Sequence, residues 1–129
     1  MSTGHEEWFR QAEYDAGSAA ALLEAGRCAH AVFFCHLAVE KALKGLYAVR
    51  RAQLPPRTHN LLFPAKEAAP ALPDDKAEFL FLLNRVSALT RYPDDMDVLL
   101  KEFSAERTKA LLEQTRETLT WLKGQLPKS

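Results

Sequence analysis

Apolar residues recur at helical spacing along most of the chain, and a few glycine- and proline-containing segments interrupt them. In the first stretch they stand three or four residues apart: Trp8, Ala12, Ala16, Ala19 and Leu23. This periodicity predicts an amphipathic helix from Glu6 to Ala25. Gly26 follows the last periodic residue, as is typical of a helix end.

The second stretch predicts a helix from Cys28 to Arg51 that is apolar around most of its circumference. Its apolar residues are Ala31, Val32, Phe34, Cys35, Ala38, Val39, Ala42, Leu43, Leu46 and Val49. A helix with apolar residues on most sides is buried on most sides. We therefore expect it to be the central helix of a bundle.

Three further helices are predicted, over His59–Ala69, Lys76–Thr90 and Ser104–Gln125. Thr58 is a candidate N-cap of the first of these. The last carries a narrow seam, suited to antiparallel packing, that consists of Thr108, Leu112, Thr115, Leu119, Leu122 and Leu126. No segment alternates as a strand does. The pattern therefore predicts an all-α, four- to five-helix up-and-down bundle formed by a single domain over residues 1–129.

Composition narrows the class of protein. The chain has 129 residues, 47% of them apolar, with 17 basic and 17 acidic side chains. This balance argues against disorder and against overall attraction to nucleic acid, so such binding would need a local patch. No apolar run is long enough to span a membrane, and the first residues do not resemble a secretory signal. Two cysteines, seven residues apart on a helix, are too far apart for a mutual disulfide. We therefore expect reduced thiols and a cytoplasmic location.

Common catalytic and metal-binding motifs are absent from the sequence. It has no glycine-rich phosphate loop, CxxC pair, HExxH or GxSxG, and its four histidines lack metal-ligand spacing. We therefore expect neither a metal ion nor another cofactor.

A polar row interrupts the apolar second helix, because His36, Glu40 and Lys44 follow one another at intervals of four residues. Such residues share one side of a helix. The row could face a ligand or a partner protein, or it could be a solvated stripe with an ordinary Glu–Lys helix pair.

Two other features are candidates for function. Asp15 falls within the apolar stripe of the first helix, where an ionised carboxylate needs a cation, a helix N-terminus or water. It could face a cleft, or it could pair with a basic residue of a neighbouring helix. The segment RYPDD at 91–95 offers Arg91, Tyr92 and Asp94 where Pro93 ends a helix. Arginine is suited to bidentate phosphate binding, but a salt bridge between Arg91 and Asp94 could equally hold the loop in place.

The order of several short motifs resembles that of the HEPN domain family, named for higher eukaryote and prokaryote nucleotide binding. The motifs are the tryptophan-headed first helix, AVEKALKGLY at 38–47, THNL at 58–61 and RYPDD at 91–95. The resemblance covers nearly the whole chain. It implies a cytoplasmic, usually homodimeric helical bundle. It also implies a minimal nucleotidyltransferase as protein partner, in a toxin–antitoxin-like pair.

Many members of this family are metal-independent ribonucleases, whose signature is an arginine, four to six variable residues and a histidine. The signature fails here, because Met96, Asp97 and Val98 stand where the histidine would follow Arg91. The chain therefore resembles the RYPD branch, proposed to bind nucleotides or a partner. The resemblance adds weight to Glu40, Lys44 and His59 as site residues.

Three functional hypotheses follow. The first is a homodimer that binds a nucleotide or RNA through Arg91 with Lys44 nearby, where Tyr92 stacks on a base or ribose. The second is a metal-independent ribonuclease with a non-standard site, in which His59 replaces the missing histidine and acts with Arg91. The third is a module that only dimerises and binds a protein partner.

Overall fold

The computed structural model of the chain describes residues 4–51, 57–91 and 96–127, and all of their regular structure is helical. The helices in chain order are α1 (His5–Glu24), α2 (Cys28–Arg51), α3 (Leu62–Ala68), α4 (Asp74–Arg91), α5 (Met96–Glu102) and α6 (Ala105–Gly124). The predicted all-α architecture of a single domain is confirmed, and α5 is added to the five helices that the sequence pattern predicts.

Helix α2 is the centre of the bundle, as predicted, and it packs against each of the other five described helices. Small side chains allow α1 to come close to it: Ala12 and Ala19 of α1 and Ala38 and Ala42 of α2 are fully buried. Larger side chains such as Leu43, also fully buried, fill the remaining space. This apolar contact between α1 and α2 is the main source of hydrophobic stabilisation on that side of the bundle.

The connection between α1 and α2 is closed by the predicted glycine. Gly26 has a φ of 78°, in the left-handed region that glycine adopts without strain. Its N–H donates to the carbonyl of Leu23 at 3.0 Å, and the N–H of Arg27 donates to the carbonyl of Leu22 at 2.8 Å. This pair of bonds is a Schellman cap, which satisfies the last carbonyls of α1 and reverses the chain within three residues.

Helix α3 begins later than predicted, at Leu62 rather than His59. The hydroxyl of Thr58 accepts the N–H of Asn60 at 3.0 Å, and the amide oxygen of Asn60 accepts the N–H of Leu62, also at 3.0 Å. These side-chain turns keep the segment from Thr58 to Leu61 outside the helix, which has no side-chain cap. The prediction that Thr58 caps this helix is therefore wrong.

The predicted seam of α6 faces the core, where Thr108, Thr115 and Leu122 are buried. Ser104 precedes the helix as its N-cap and accepts the N–H of Arg107. Both cysteines have free thiols. Burial raises the pKa of the Cys35 thiol to about 11, so it stays protonated at neutral pH. None of the helices in the described part of the chain is long and apolar enough to cross a bilayer.

Candidate functional site

The polar row on α2 lies inside the bundle. His36 is 2% exposed and Glu40 is 5% exposed, while Lys44 is half-buried. The interpretation as a solvated stripe is therefore wrong, although the expected Glu40–Lys44 helix pair is present at 3.4 Å. Polar groups buried in this way need partners, and the partners come from α4 and from the segment before α3. These residues are hereafter the polar cluster: His36, Glu40, Lys44, His59, Asn60, Asn84 and Arg91.

Glu40 joins α2 to the segment before α3. One carboxylate oxygen contacts Nδ1 of His59 at 2.7 Å, and the other contacts Nζ of Lys44. The side chain of His59 is 67% exposed, so its Nε2 edge is open to solvent. Nζ of Lys44 also lies 5.9 Å from the centre of the Trp8 ring, in a cation–π arrangement. The carboxylate thus holds a solvent-facing imidazole in one orientation.

His36 is fixed from two sides by α4. Its Nε2 lies 3.2 Å from the side-chain oxygen of Asn84, and its Nδ1 lies 3.4 Å from Nη2 of Arg91. A guanidinium only donates, so Nδ1 accepts and the proton is on Nε2, which donates to Asn84. This is the neutral form of imidazole. Burial lowers the pKa of His36 below its ordinary value of 6.5, and the Arg91 charge acts in the same direction, while the hydrogen bond to Asn84 and the Glu40 charge offset part of the effect.

Arg91 is the last residue of α4, and its guanidinium carbon lies 4.7 Å from the centre of the Phe33 ring. The ring and the His36 nitrogen hold the guanidinium against α2. Neither contact is with an anion, so within residues 4–51, 57–91 and 96–127 these two contacts leave the charge of Arg91 in place and use one of its five N–H donors. Lys44 and His59 contact the carboxylate of Glu40, and Arg91 adds a second cation on the other side of His36. The described part of the cluster has two cations for one carboxylate, so it favours a negative ligand.

Asn84 is the residue that connects the cluster. Its side-chain oxygen accepts from His36 and from the N–H of Leu61 at 3.1 Å, and its Nδ2 donates to the side-chain oxygen of Asn60 at 2.9 Å. These bonds tie α4 to α2 and to the segment before α3. Neither Asn84 nor Asn60 was among the residues predicted from the sequence. The available signal was that Asn84, like Asp15, interrupts the apolar stripe of its helix.

Asp15 is buried and pairs with Lys41 of α2, with 2.8 Å between its Oδ2 and Nζ. This is the pairing with a neighbouring helix that the sequence left open as one alternative for Asp15. Its partner Lys41 is not a member of the polar cluster. The structure therefore brings together Arg91, Lys44, Glu40 and His59 among the predicted site residues and places Asp15 in another contact.

Two predicted site residues, Tyr92 and Asp94, lie outside the described residues. No group of three or more His, Cys, Asp or Glu side chains within residues 4–51, 57–91 and 96–127 has the arrangement of a metal site.

Acidification is expected to destabilise the protein through His36. Because its pKa is lowered in the folded state, the unfolded chain binds a proton near pH 6.5 that the folded chain binds only at lower pH. This contribution to stability is complete above pH 6.5 and is lost as the pH falls through the folded-state pKa. Urea unfolding at several pH values, in the unmodified protein and in His36→Gln, measures the effect.

The variant is expected to lose less stability than the unmodified protein between about pH 7.5 and about pH 5. The other histidines are common to both proteins, so the difference between the two curves reports His36 alone. If the free energy of unfolding depends on pH equally in both proteins over this range, that result would contradict the neutral, buried state of His36.

Comparison with known proteins identifies the family of this chain and two structures with a similar fold. The family model for the HEPN domain matches residues 5–125. The structure is similar to that of TT1696 from Thermus thermophilus, with a TM-score of 0.81 and 23% identity over 95% of this chain and 98% of that one. It is also similar to ST0689, an archaeal HEPN homologue, with a TM-score of 0.78 and 21% identity over 96% and 98% of the chains. No curated protein matches the sequence.

Proposed function

Because the chain belongs to the HEPN domain family, whose model matches residues 5–125, we propose that it binds a nucleotide or a short RNA at the polar cluster. The ligand's phosphate is bound by Arg91. Lys44 supplies further positive charge, and His59, from the segment before α3, supplies a further hydrogen-bonding group. Tyr92, which lies outside the described residues, stays a predicted stacking partner for a base or ribose.

The observation that carries this proposal is the environment of Arg91. Its contacts with residues 4–51, 57–91 and 96–127 are to a neutral imidazole and to an aromatic ring, at 3.4 Å and 4.7 Å. These groups orient the guanidinium without neutralising it. An arginine that is held in position and keeps its charge is suited to a phosphate, because its binding costs little side-chain entropy.

Replacing Arg91 by alanine is expected to weaken phosphate binding at least about tenfold, since a charge-assisted hydrogen bond contributes about 1.5–3 kcal/mol. Titration of UMP and of a fluorescein-labelled tetrauridylate against both proteins measures the change. Arg10→Ala is the matched control. It removes the same charge from α1, where the Arg10 side chain is 84% exposed and pairs with Glu7 at 3.8 Å.

Equal affinity in the Arg91→Ala and Arg10→Ala variants would contradict the assignment. If the unmodified protein binds neither probe, the interaction-module hypothesis is favoured instead. Both probes present the phosphate that Arg91 is proposed to bind.

One observation favours the ribonuclease as a second candidate. The 2.7 Å contact between Glu40 and Nδ1 of His59 orients the imidazole with its Nε2 edge toward solvent. A carboxylate that orients a histidine in this way is a common arrangement for a general base. Cleavage of the tetrauridylate during the titration, with no added metal ion, would support this candidate.

We also propose that the protein is a cytoplasmic homodimer. On this proposal it acts in a two-component, toxin–antitoxin-like system with a minimal nucleotidyltransferase as its partner. The support is the resemblance of its ordered motifs to stand-alone family members of the RYPD type. Affinity purification from the native cell, followed by mass spectrometry, identifies the partner directly.

A further inference from the structure

A shallow groove lies on the outer side of α4, next to the polar cluster. It has a volume of about 420 Å³ and is lined by His59, Asn60, Leu62, Phe81, Asn84 and Arg85. Three of these residues belong to the polar cluster. The other three provide an aromatic ring, a leucine side chain and a guanidinium, so the groove combines stacking and charged groups beside the proposed phosphate site.

The amide groups of the groove offer hydrogen-bond donors only. The side-chain oxygen of Asn84 accepts from His36 and Leu61, and that of Asn60 accepts from Leu62 and Asn84. Each oxygen has two lone pairs, so both are fully used. One N–H of Asn84 and both N–H groups of Asn60 have no partner among the described residues. They can therefore bond a ligand that presents acceptors, such as phosphate or base carbonyl oxygens.

Phe81 and Arg85 form the outer wall of the groove. They stand four residues apart on α4 and share one side of the helix. The Phe81 side chain is 60% exposed, which is unusual for an apolar ring of this size. An exposed ring beside a cation is the arrangement on which the bases of single-stranded nucleic acids stack.

The groove residues of α4 and Arg91 lie on neighbouring faces of that helix. At about 100° per residue, Arg91 and Asn84 lie within about 20° of each other, and Phe81 lies about 60° further around the helix. From Phe81 to Arg91 the distance along the axis is about 15 Å. Asn84, which contacts the cluster and lines the groove, lies between them. A ligand that touches both ends must therefore have more than one nucleotide unit.

We propose that the groove is a second subsite, in which Phe81 stacks on a base while Arg85, Asn60 and Asn84 donate to the adjoining phosphate. The ligand of the polar cluster is then a single-stranded RNA of two or more nucleotides rather than a free mononucleotide. This inference rests on the proposed function, since Arg91 binds the first phosphate of the same strand.

The test compares UMP with fluorescein-labelled tetrauridylate in the full-length Phe81→Ala and Arg91→Ala variants. Phe81→Ala is expected to weaken tetrauridylate binding about 5- to 100-fold, the usual loss for one stacked base, and to leave UMP affinity unchanged. Arg91→Ala is expected to weaken both. Phe63→Ala is the matched control, because Phe63 is also an exposed ring, 50% accessible, but does not line the groove.

The failures of the two proposals are distinguishable. Loss of binding in Arg91→Ala alone, with Phe81→Ala unchanged, overturns the second subsite and leaves the proposed function intact. An equal loss of UMP and tetrauridylate in Phe81→Ala also overturns it, because Phe81 would then belong to the first site. A change in oligomeric state of Phe81→Ala on size-exclusion chromatography overturns it as well, since the ring would then be part of a protein interface. If neither ligand binds the unmodified protein, both proposals fail.

Discussion

Replacing Gly45 by alanine is expected to destabilise the protein by up to about 2 kcal/mol, because overpacking a core costs about 1–3 kcal/mol and better helix propensity offsets part of that cost. A Cβ atom at this position would lie 2.8 Å from the Cβ of Trp8 and 3.2 Å from the ring of Phe9. The Cβ of Trp8 is fixed to the backbone of α1 and cannot turn away, so the two helices would have to move apart. This cost outweighs the gain of about 1 kcal/mol in helix propensity.

The matched control is Gly17→Ala, because Gly17 also lies in a helix interior, on an exposed side of α1. A Cβ atom at Gly17 would have no neighbour within 4 Å. This variant is expected to stabilise the protein by about 0.5–1 kcal/mol through helix propensity alone. Urea unfolding of both variants measures whether each substitution lowers or raises the free energy of unfolding. Stabilisation in both would mean that α1 and α2 are not in close contact at Gly45.

Replacing Lys41 by methionine is expected to destabilise the protein by about 3 kcal/mol. The substitution keeps the long apolar stem but removes the cation, and it leaves the carboxylate of Asp15, whose side chain is 8% exposed, without its 2.8 Å partner. A buried carboxylate that loses its counter-ion is costly, because it has given up water for an ion pair that no longer exists. Equilibrium unfolding in urea measures the difference in the free energy of unfolding between this variant and the unmodified protein.

The double variant Asp15→Leu with Lys41→Met is the control for this pair. Replacing a buried ion pair by apolar side chains of similar size is often neutral or stabilising. We expect the double variant to recover most of the stability that Lys41→Met loses and to bind tetrauridylate as the unmodified protein does. If Asp15→Leu with Lys41→Met binds RNA much more weakly, Asp15 faces a ligand cleft and its role is not only structural.

Local sequence signals predicted the long helices well because their causes are local. The bounds of α2 follow from its apolar residues and are those of the structure. The end of α1 follows from Gly26, the residue that accepts a positive φ at that point. The seam of α6 was predicted from spacing alone, because residues three and four apart share one helix face.

The short helices were harder to predict for a physical reason. Helix α5 has seven residues, of which only Leu99 is buried. Its apolar residues Met96, Leu99 and Leu100 have helical spacing, but the segment is too short for that spacing to predict a helix. Three other apolar residues of α5, Met96, Val98 and Leu100, are each more than 60% exposed. The start of α3 depends on which backbone donors Thr58 and Asn60 engage, a competition that residue spacing does not reveal.

The sequence pointed to some residues of the polar cluster but not to Asn60 or Asn84, and not to the arrangement of the cluster. The spacing of His36, Glu40 and Lys44 placed them on one side of α2, but whether that side faces water depends on which distant segments cover it. His59 and Asn84, separated from Glu40 and His36 by 19 and 48 residues, provide that cover. Such pairings depend on the three-dimensional packing, so the pattern of a single helix does not contain them.

The three-residue connection at Gly26 also bears on how quickly the chain can fold. Helices α1 and α2 form the most extensive helix–helix contact of the described residues, and the loop that must close to form it is among the shortest a helical hairpin allows. Closing a short loop costs little entropy, and proteins rich in such near-neighbour contacts fold fast. The hairpin can therefore assemble early and provide the surface of α2 on which α4 and α6 later dock. On this order of assembly, the polar cluster forms only when the last of its distant segments arrives.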